Sequence, residues 1–196
     1  MRPCLLSLLA VVALCACDRS PPAEPPVKDT PVTTTPPAAG PAEFPMVDPP
    51  APGTPGGLPD DRTPISEAPF TDDSAQGAAN VVQTYYAHIG QKAYAEAWKL
   101  WSGGGKASGQ PTAAAFAASF DRYAQYDAQI GGPSAIEGAA GSLYVTAPVV
   151  IYGRLKTGAE VHEKGEATLH RVNGVPGSTA EQRKWRIVKI ETRPTN

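Results

Sequence analysis

Apolar residues recur at helical spacing in three stretches after residue 73. The first stretch begins near Ser74, whose side chain suits an N-cap, and closes at Gly90. The second runs over residues 92–102, and the third has Pro111 in its first turn. We expect three helices, each with one apolar face. The apolar positions are Val81, Val82, Tyr85, Tyr86 and Ile89, then Tyr94, Ala97, Trp98 and Trp101, then Phe116, Phe120 and Tyr123.

From residue 123 onward, apolar residues alternate with a period of two, which indicates strands. Pro148 inside the second of these strands predicts an edge position or a bulge, because proline cannot donate to a ladder. Lys156-Thr157-Gly158 predicts a hairpin turn. Helices followed by strands predict an α+β fold with the helices on one face of an antiparallel sheet. The predicted strands are 123–130, 143–152, 161–172 and 185–192.

This order of elements resembles the NTF2-like superfamily, in which three helices pack into the concave side of a curved sheet, forming a cone. The resemblance covers residues 74–196. It rests also on Val81-Val82-Gln83-Thr84-Tyr85-Tyr86, on the aromatic second helix from Tyr94 to Trp101, and on Trp185-Arg186-Ile187-Val188. The chain is particularly similar to non-catalytic NTF2-like domains of envelope proteins such as certain transpeptidases. A small α+β fold of cystatin type is the alternative.

Near the start of the chain, Arg2 precedes a run of twelve largely apolar residues from Leu5 to Ala16. This run is too short to span a bilayer, which takes about 20 apolar residues. Leu14-Cys15-Ala16-Cys17 resembles the lipobox of bacterial lipoproteins. The resemblance implies that residues 1–16 are a signal peptide and that Cys17 becomes the acylated first mature residue. Ordinary secretory cleavage after Ala16 is disfavoured, because Leu14 would stand where a small residue is needed.

A lipid anchor places the mature protein in the cell envelope, on the periplasmic side, with the membrane as its first partner. Asp18 resembles a signal for retention in the inner membrane, and the outer membrane is the alternative. The other two cysteines, Cys4 and Cys15, also lie in the leader. No disulfide can therefore form within the mature domain, and its stability must come from a packed core.

Residues 17–73 read as a tether between the anchor and the domain. Sixteen of the 22 prolines of the chain fall between Pro21 and Pro69, and proline prevents helices and central strands from propagating. We expect a disordered, semi-rigid spacer that reaches at most about 3.1 Å per residue. The alternative interpretation is that Pro49-Pro50-Ala51-Pro52 is a ligand for an aromatic groove.

The charge of the chain is divided between spacer and domain. Residues 18–73 carry a net charge of −7 and residues 74–196 a net charge of +4. An acidic spacer before a mildly basic domain favours an extended, soluble tether and does not indicate a nucleic-acid partner. About 120 residues remain for the domain, which suffices for a single core.

Some members of the NTF2-like superfamily are isomerases or hydratases that use a carboxylate inside the cone. A carboxylate in an apolar pocket can serve as a base because burial moves its pKa toward neutrality. Asp121 and Asp127 are the candidates here, and four tyrosines could line a pocket beside them. Asp121 follows a helix end, which is commonly a solvated position, so the non-catalytic interpretation is favoured. The four tyrosines are Tyr85, Tyr86, Tyr123 and Tyr144.

Neither a metal nor a cofactor is expected. His162 and His170 lie eight residues apart on one predicted strand, which is about 26 Å at 3.3 Å per residue, so they cannot share an ion. Both histidines belong to an alternating polar set that we interpret as a solvated strand face. Gly103-Gly104-Gly105-Lys106 follows a helix instead of a strand and lacks the serine or threonine of a phosphate-binding loop.

Aromatic side chains are dense in the predicted helices and strands. Such residues anchor protein interfaces and stack on ligands, although at helical spacing they more often fill a core. We expect the domain to bind a partner protein or a cell-wall component without catalysis, and the resemblance also implies homodimerisation through the sheet. A purely structural spacer protein is a further alternative. The candidate binding residues are Tyr86, Trp98, Trp101, Tyr123 and Tyr144.

Overall fold

The computed structural model describes residues 44–60 and 69–195. All described residues belong to one compact unit, Glu43–Asn196. The predictions about the signal peptide, Cys17 and Asp18 therefore lie outside the described residues. In the part that is described, no helix has the length and apolar character needed to cross a membrane.

Three α-helices precede the sheet. Ser74 caps the first of them, because its Oγ accepts a hydrogen bond of 3.0 Å from the backbone N–H of Gly77. Thr112 caps the third in the same way, accepting from Ala115 N–H at 3.1 Å. A short 3₁₀ turn, Lys106–Ser108, lies between the second and the third. The bounds are α1 Ala75–Gly90, α2 Tyr94–Lys99 and α3 Ala113–Ala118.

The second and third helices are shorter than predicted. α2 ends at Lys99, because the backbone beyond it pairs with the last strand: Ser102 N–H donates to Ile187 O, and Ile187 N–H donates to Leu100 O. Trp101 forms a parallel bridge to Ile187 within this pairing. Pro111 precedes the N-cap of α3 instead of lying in its first turn, because the Thr112 hydroxyl takes the capping position.

The strands form one antiparallel sheet in the order β1-β3-β4-β5, with β2 paired to the start of β3. The α+β prediction is thus confirmed. Strand β1 has the predicted bounds, and the turn 156–158 joins β3 to β4 as expected. The three-residue strand β2 was not predicted, because it is too short to show an alternation. The bounds are β1 Tyr123–Ile130, β2 Glu137–Ala139, β3 Ser142–Leu155, β4 Glu160–Val172 and β5 Arg186–Pro194.

Pro148 lies in β3, an inner strand, but just beyond the end of its ladder with β1, so the predicted edge position is met only locally and the predicted bulge is absent from the pairing with β4. The pairing of β3 with β4 continues without a shift through Pro148 and Glu166. Pro148 O accepts from Gly131 N–H at 2.8 Å, which directs the proline nitrogen toward the β1 side, where β1 has already ended at Ile130. The proline therefore lacks its donor on the side where the β1 ladder has ended, and its pairing with β4 is kept.

The core lies between the helices and one face of the sheet. Helix α1 contacts β1, β3 and β5, and its buried residues cluster with every second residue of β3. Each fully buried large aliphatic side chain contributes about 1.5–3 kcal/mol to folding. The core includes Val82, Tyr85, Tyr86, Ile89, Trp101 and Phe116 from the helical region, and Val145, Ala147, Val149, Ile151, Ala167, Leu169, Trp185 and Ile187 from the strands and the residue before β5.

Residues 44–60, which we name the strap, lie against the opposite face of the sheet, here called the outer face. Val47 is only 7% exposed, and its backbone N–H and C=O both bond to the side-chain amide of Gln125 on β1. The expectation that residues 17–73 form a free spacer does not describe this part, because the sheet supplies hydrogen-bond partners to the strap backbone. The remainder of the expected spacer up to residue 68 lies outside the described residues.

Candidate functional site

A cleft of about 190 Å³, named the aromatic cleft, opens where α1 ends beside β1. The rings of Tyr94 and Phe120 stack at 5.3 Å with an interplanar angle of 12°. Tyr126 lies edge-on to Phe120 at 5.3 Å and contacts Tyr123 at 4.6 Å. All four rings are half-buried. The other lining residues are Met46, Ile89, Gly90, Lys92, Ala124, Gln125 and Asp127.

The local sequence explains why these rings meet. Helix α1 ends at Gly90, and Lys92 then adopts a left-handed φ of 58°, which reverses the chain. This reversal starts α2 at Tyr94 directly over the end of α3. Phe120 follows α3 within a turn, and the alternation of β1 directs Tyr126 to the helix side of the sheet. The cleft is therefore formed by the ends of three helices and by the edge strand β1.

The rim of the aromatic cleft is polar. Gln125 Nε2 donates to Asp127 Oδ2 at 2.9 Å, and Lys92 lies beside them in the lining. The Arg122 guanidinium lies 4.7 Å from the centre of the Tyr123 ring and donates to its hydroxyl. Burial raises the pKa of Tyr126, and the neighbouring Tyr85, Tyr123 and Glu163 raise it further, so its phenol stays neutral.

A second cleft of about 380 Å³ lies along the edge strand, between α1 and β1. Asp127 and Gly90 line both clefts. Tyr86 also lines this one, and its hydroxyl is buried with no hydrogen-bond partner among the described residues. Burial raises the pKa of Tyr86 well above its ordinary value. Burial also raises the pKa of Tyr152, at the far side of this cleft, with smaller contributions from Asp127 and Asp48.

The five candidate binding residues do not form one surface. Tyr86 and Trp101 are core residues, and Trp98 is half-buried with its ring packed over Gly105. Tyr123 lies in the aromatic cleft. Tyr144 is 38% exposed on the outer face, where its ring contacts His170 at 4.9 Å. Of the candidates, only Tyr123 combines an exposed surface with a cleft of aromatic neighbours.

The two aspartates proposed as a catalytic pair are not brought together in either cleft. Asp121 is exposed on the connection between α3 and β1, as its position after a helix suggested. Asp127 is half-buried and accepts the Gln125 hydrogen bond. The clefts at the end of α1 are lined by Asp127 but not by Asp121.

One carboxylate that sequence reasoning missed lies on the helix side of the sheet. Glu163 accepts a hydrogen bond of 2.5 Å from Thr192 Oγ1, and its charge contributes to the raised pKa of Tyr86 and Tyr126. The signal was present in the alternation of β4: because His162 and Lys164 belong to the polar set, Glu163 must point to the apolar side.

The histidines of β4 lie on a continuous strand. His162 pairs with Glu160 on the outer face at 3.3 Å, and β4 continues unbroken to His170. Among residues 44–60 and 69–195, no group of three or more histidine, cysteine, aspartate or glutamate side chains is placed to hold a metal ion.

No protein family matches the chain, and no curated protein matches it. The crystal structure of the Kfla4162 protein from Kribbella flavida is similar to 61% of this chain over 90% of its own length, at 15% sequence identity and a TM-score of 0.42. The α+β assignment rests on the strand order and the helix packing described above.

Proposed function

We propose that this chain is a membrane-anchored lipoprotein of the cell envelope, attached through acylated Cys17, with an NTF2-like domain that binds a partner without catalysis. The lipobox-like Leu14-Cys15-Ala16-Cys17 supports the anchor. The packing of α1 against one face of an antiparallel sheet of order β1-β3-β4-β5 supports the NTF2-like assignment.

The aromatic cleft is the observation that carries the binding role. Pockets for small molecules typically enclose about 300–1,000 Å³, and this cleft encloses about 190 Å³. That volume suits one apolar or aromatic side chain, which is how an anchor residue of a protein partner is received. The polar side chains at the rim would form hydrogen bonds with the partner's backbone on either side of such an anchor residue. A partner protein is therefore favoured over a cell-wall glycan.

The anchor is tested by labelling the protein with a fatty acid in its own cells. We expect label on the wild type and on Cys15→Ser, and none on Cys17→Ser, because Cys17 has the small preceding residue that the lipobox requires. Cys15→Ser is the matched control, two positions away in the same leader. If only Cys15→Ser lost the label, the acylated residue would be Cys15 instead of Cys17. An unlabelled wild type would refute the lipoprotein assignment.

The binding role is tested by crosslinking the full-length protein in native membranes, followed by purification. Tyr123→Ala removes a ring from the cleft, Tyr123→Phe keeps the ring, and Tyr144→Ala removes an exposed ring from the outer face. We expect one envelope protein to be recovered with the wild type, Tyr123→Phe and Tyr144→Ala, and to be lost with Tyr123→Ala. A protein lost only with Tyr144→Ala would move the interface to the outer face, and no enriched protein would refute the binding role.

An enzyme of the isomerase or hydratase type is the second candidate, and the position of Glu163 near Tyr86 and Tyr126 favours it. Against it, Glu163 lines neither cleft at the end of α1, and Phe116 and Tyr86 fill the core. Titrating the tryptophan fluorescence with small carbonyl compounds separates the two roles. Saturable binding of a carbonyl compound that is lost in Glu163→Gln would support the enzyme. If no carbonyl compound binds, the non-catalytic binding role is favoured.

A further inference from the structure

The sheet holds the strap through side chains that bond to the strap backbone. Gln125 makes the paired bonds to Val47, at 2.7 Å to its N–H and 3.0 Å to its carbonyl oxygen. Arg154 Nε donates to Pro45 O at 3.2 Å, and Lys164 Nζ donates to Gly57 O at 2.8 Å. The three sheet residues belong to β1, β3 and β4, so the strap crosses three strands.

Apolar contacts accompany these hydrogen bonds. Val150 points away from the helices, because its neighbours Val149 and Ile151 are in the core, and yet it is 1% exposed. Its cross-strand neighbour Lys164 carries the bond to the strap, and Leu58 of the strap lies beside Gly131 next to Pro148. The strap therefore covers an apolar patch on the outer face.

The strap has a structure of its own that is separate from the sheet ladders. Gly53 N–H donates to Leu58 O at 2.8 Å, closing a turn in which Gly53 and Gly56 have positive φ. No strand pairs with the strap in the described part of the chain, and the hydrogen-bonded ladders of β1, β3, β4 and β5 are formed without it. Its six prolines limit the conformations it gains on release.

We propose that the outer face is a docking surface for the strap, and that residues 44–60 dock and release as a unit while the rest of the domain stays folded. Three long side chains hold the strap by its backbone, and only two strap residues, Val47 and Gly57, are buried. A segment with so few buried residues can open at a free energy below that of global unfolding.

Docking has a consequence for the tether, which rests on the proposed anchor at Cys17. Release would add residues 44–60 to the free tether, lengthening its maximum reach by about 50 Å at about 3.1 Å per residue. A docked strap would also block dimerisation through the outer face. The strap thus sets both how far the domain stands from the membrane and whether its outer face is open.

Hydrogen exchange of the full-length protein tests the docking directly. Val47→Asp places a charge at a buried position, whereas Met46→Asp places the same charge one residue away, where the side chain is 73% exposed. We expect Val47→Asp to speed exchange of the amide of residue 47, which bonds to the sheet, at least tenfold and to leave the amides of α1 and β3 within twofold of the wild type. Met46→Asp should leave both sets unchanged. Gln125→Ala, which removes both bonds to Val47, should reproduce the effect of Val47→Asp.

Three results would overturn the proposal. Strap amides that already exchange freely in the wild type would show that it does not dock. Faster exchange throughout the domain in both Val47→Asp and Gln125→Ala would show that the strap is part of the folding unit. Strap protection seen only in a dimer, detected by light scattering, would assign the outer face to a second copy. None of these results depends on lipid or partner, so failure here is separate from failure of the proposed function.

Discussion

The indole N–H of Trp185 donates a hydrogen bond of 3.1 Å to the backbone carbonyl of Ser74, 111 residues earlier in the chain. Ser74 is the N-cap of α1, and Trp185 immediately precedes β5. The Arg171 guanidinium lies 5.2 Å from the centre of the Trp185 ring and 3.9 Å from the Asp73 carboxylate. The start of the first helix is thereby fixed to the start of the last strand.

Trp185→Phe should lower the free energy of unfolding by about 2–3 kcal/mol. Phenylalanine cannot donate to Ser74 O, which forfeits a hydrogen bond worth about 1 kcal/mol, and its smaller ring leaves a cavity at a buried position. Urea denaturation measures the change. Tyr144→Phe is the control, because removing this exposed hydroxyl should change the free energy of unfolding by less than about 0.5 kcal/mol. Equal stabilities of the two variants would contradict the role given to the indole bond.

Ser74→Ala should destabilise the domain by about 1 kcal/mol, because the Gly77 N–H loses its capping acceptor. Thr84→Ala is the matched comparison within the same helix. The Thr84 hydroxyl only bonds back to Asn80 O, on an exposed face, and alanine has the higher helix propensity. Thermal unfolding should therefore rank Thr84→Ala at or slightly above the wild type and Ser74→Ala below it. The reverse ranking would show that Ser74 does not act as a cap.

The sequence was sufficient to predict the elements whose periodicity is local. The apolar spacing from Val81 to Ile89 predicted α1, and the alternation after Tyr123 predicted β1 with both of its end residues correct. The end of α2 could not be predicted, because Trp101 has the spacing of a helical residue and leaves the helix only to pair with Ile187, 86 residues away. A pairing partner at that distance leaves no trace in the local pattern.

The candidate site was predicted only in part for a related reason. Tyr123 is a candidate because it is aromatic, but Phe120 is predicted only as part of the third helix, and Tyr126 lies within the predicted first strand. Nothing in the local pattern brings these two rings to Tyr123. The strap was missed because its composition is that of a spacer. What holds it is the amide of Gln125, a polar residue on a strand, and nothing in the sequence pairs that amide with Val47.

Gly105→Ala should cost about 3 kcal/mol or more, whereas Gly104→Ala should cost about 1 kcal/mol. Both glycines have positive φ, of 96° and 64°, which alone penalises a side chain by about 1–2 kcal/mol. A Cβ on Gly105 would also lie 2.1 Å from the Trp98 ring, while one on Gly104 would meet nothing within 4 Å. Denaturation midpoints of the two variants measure the difference, and equal midpoints would mean that Trp98 does not pack over Gly105.

Alkaline pH should destabilise the domain from about pH 10 upward. Burial is the main reason that the pKa of Tyr85, Tyr86 and Tyr126 is raised above the ordinary value of 10.0. Above that pH the unfolded chain releases these protons and the folded chain retains them, so the folded state binds more protons and the free energy of unfolding falls as pH rises. Each tyrosine contributes a slope of about 1.4 kcal/mol per pH unit.

Tyr126→Phe isolates one of these contributions, because phenylalanine cannot ionise. Urea denaturation at a series of pH values from about 8 to 12 should show a shallower decline above pH 10 for this variant than for the wild type. The two curves should run parallel below pH 9, where neither state of the chain ionises its tyrosines. Parallel curves over the whole range would mean that the Tyr126 hydroxyl is open to solvent, and the aromatic cleft would then be wider than its described lining.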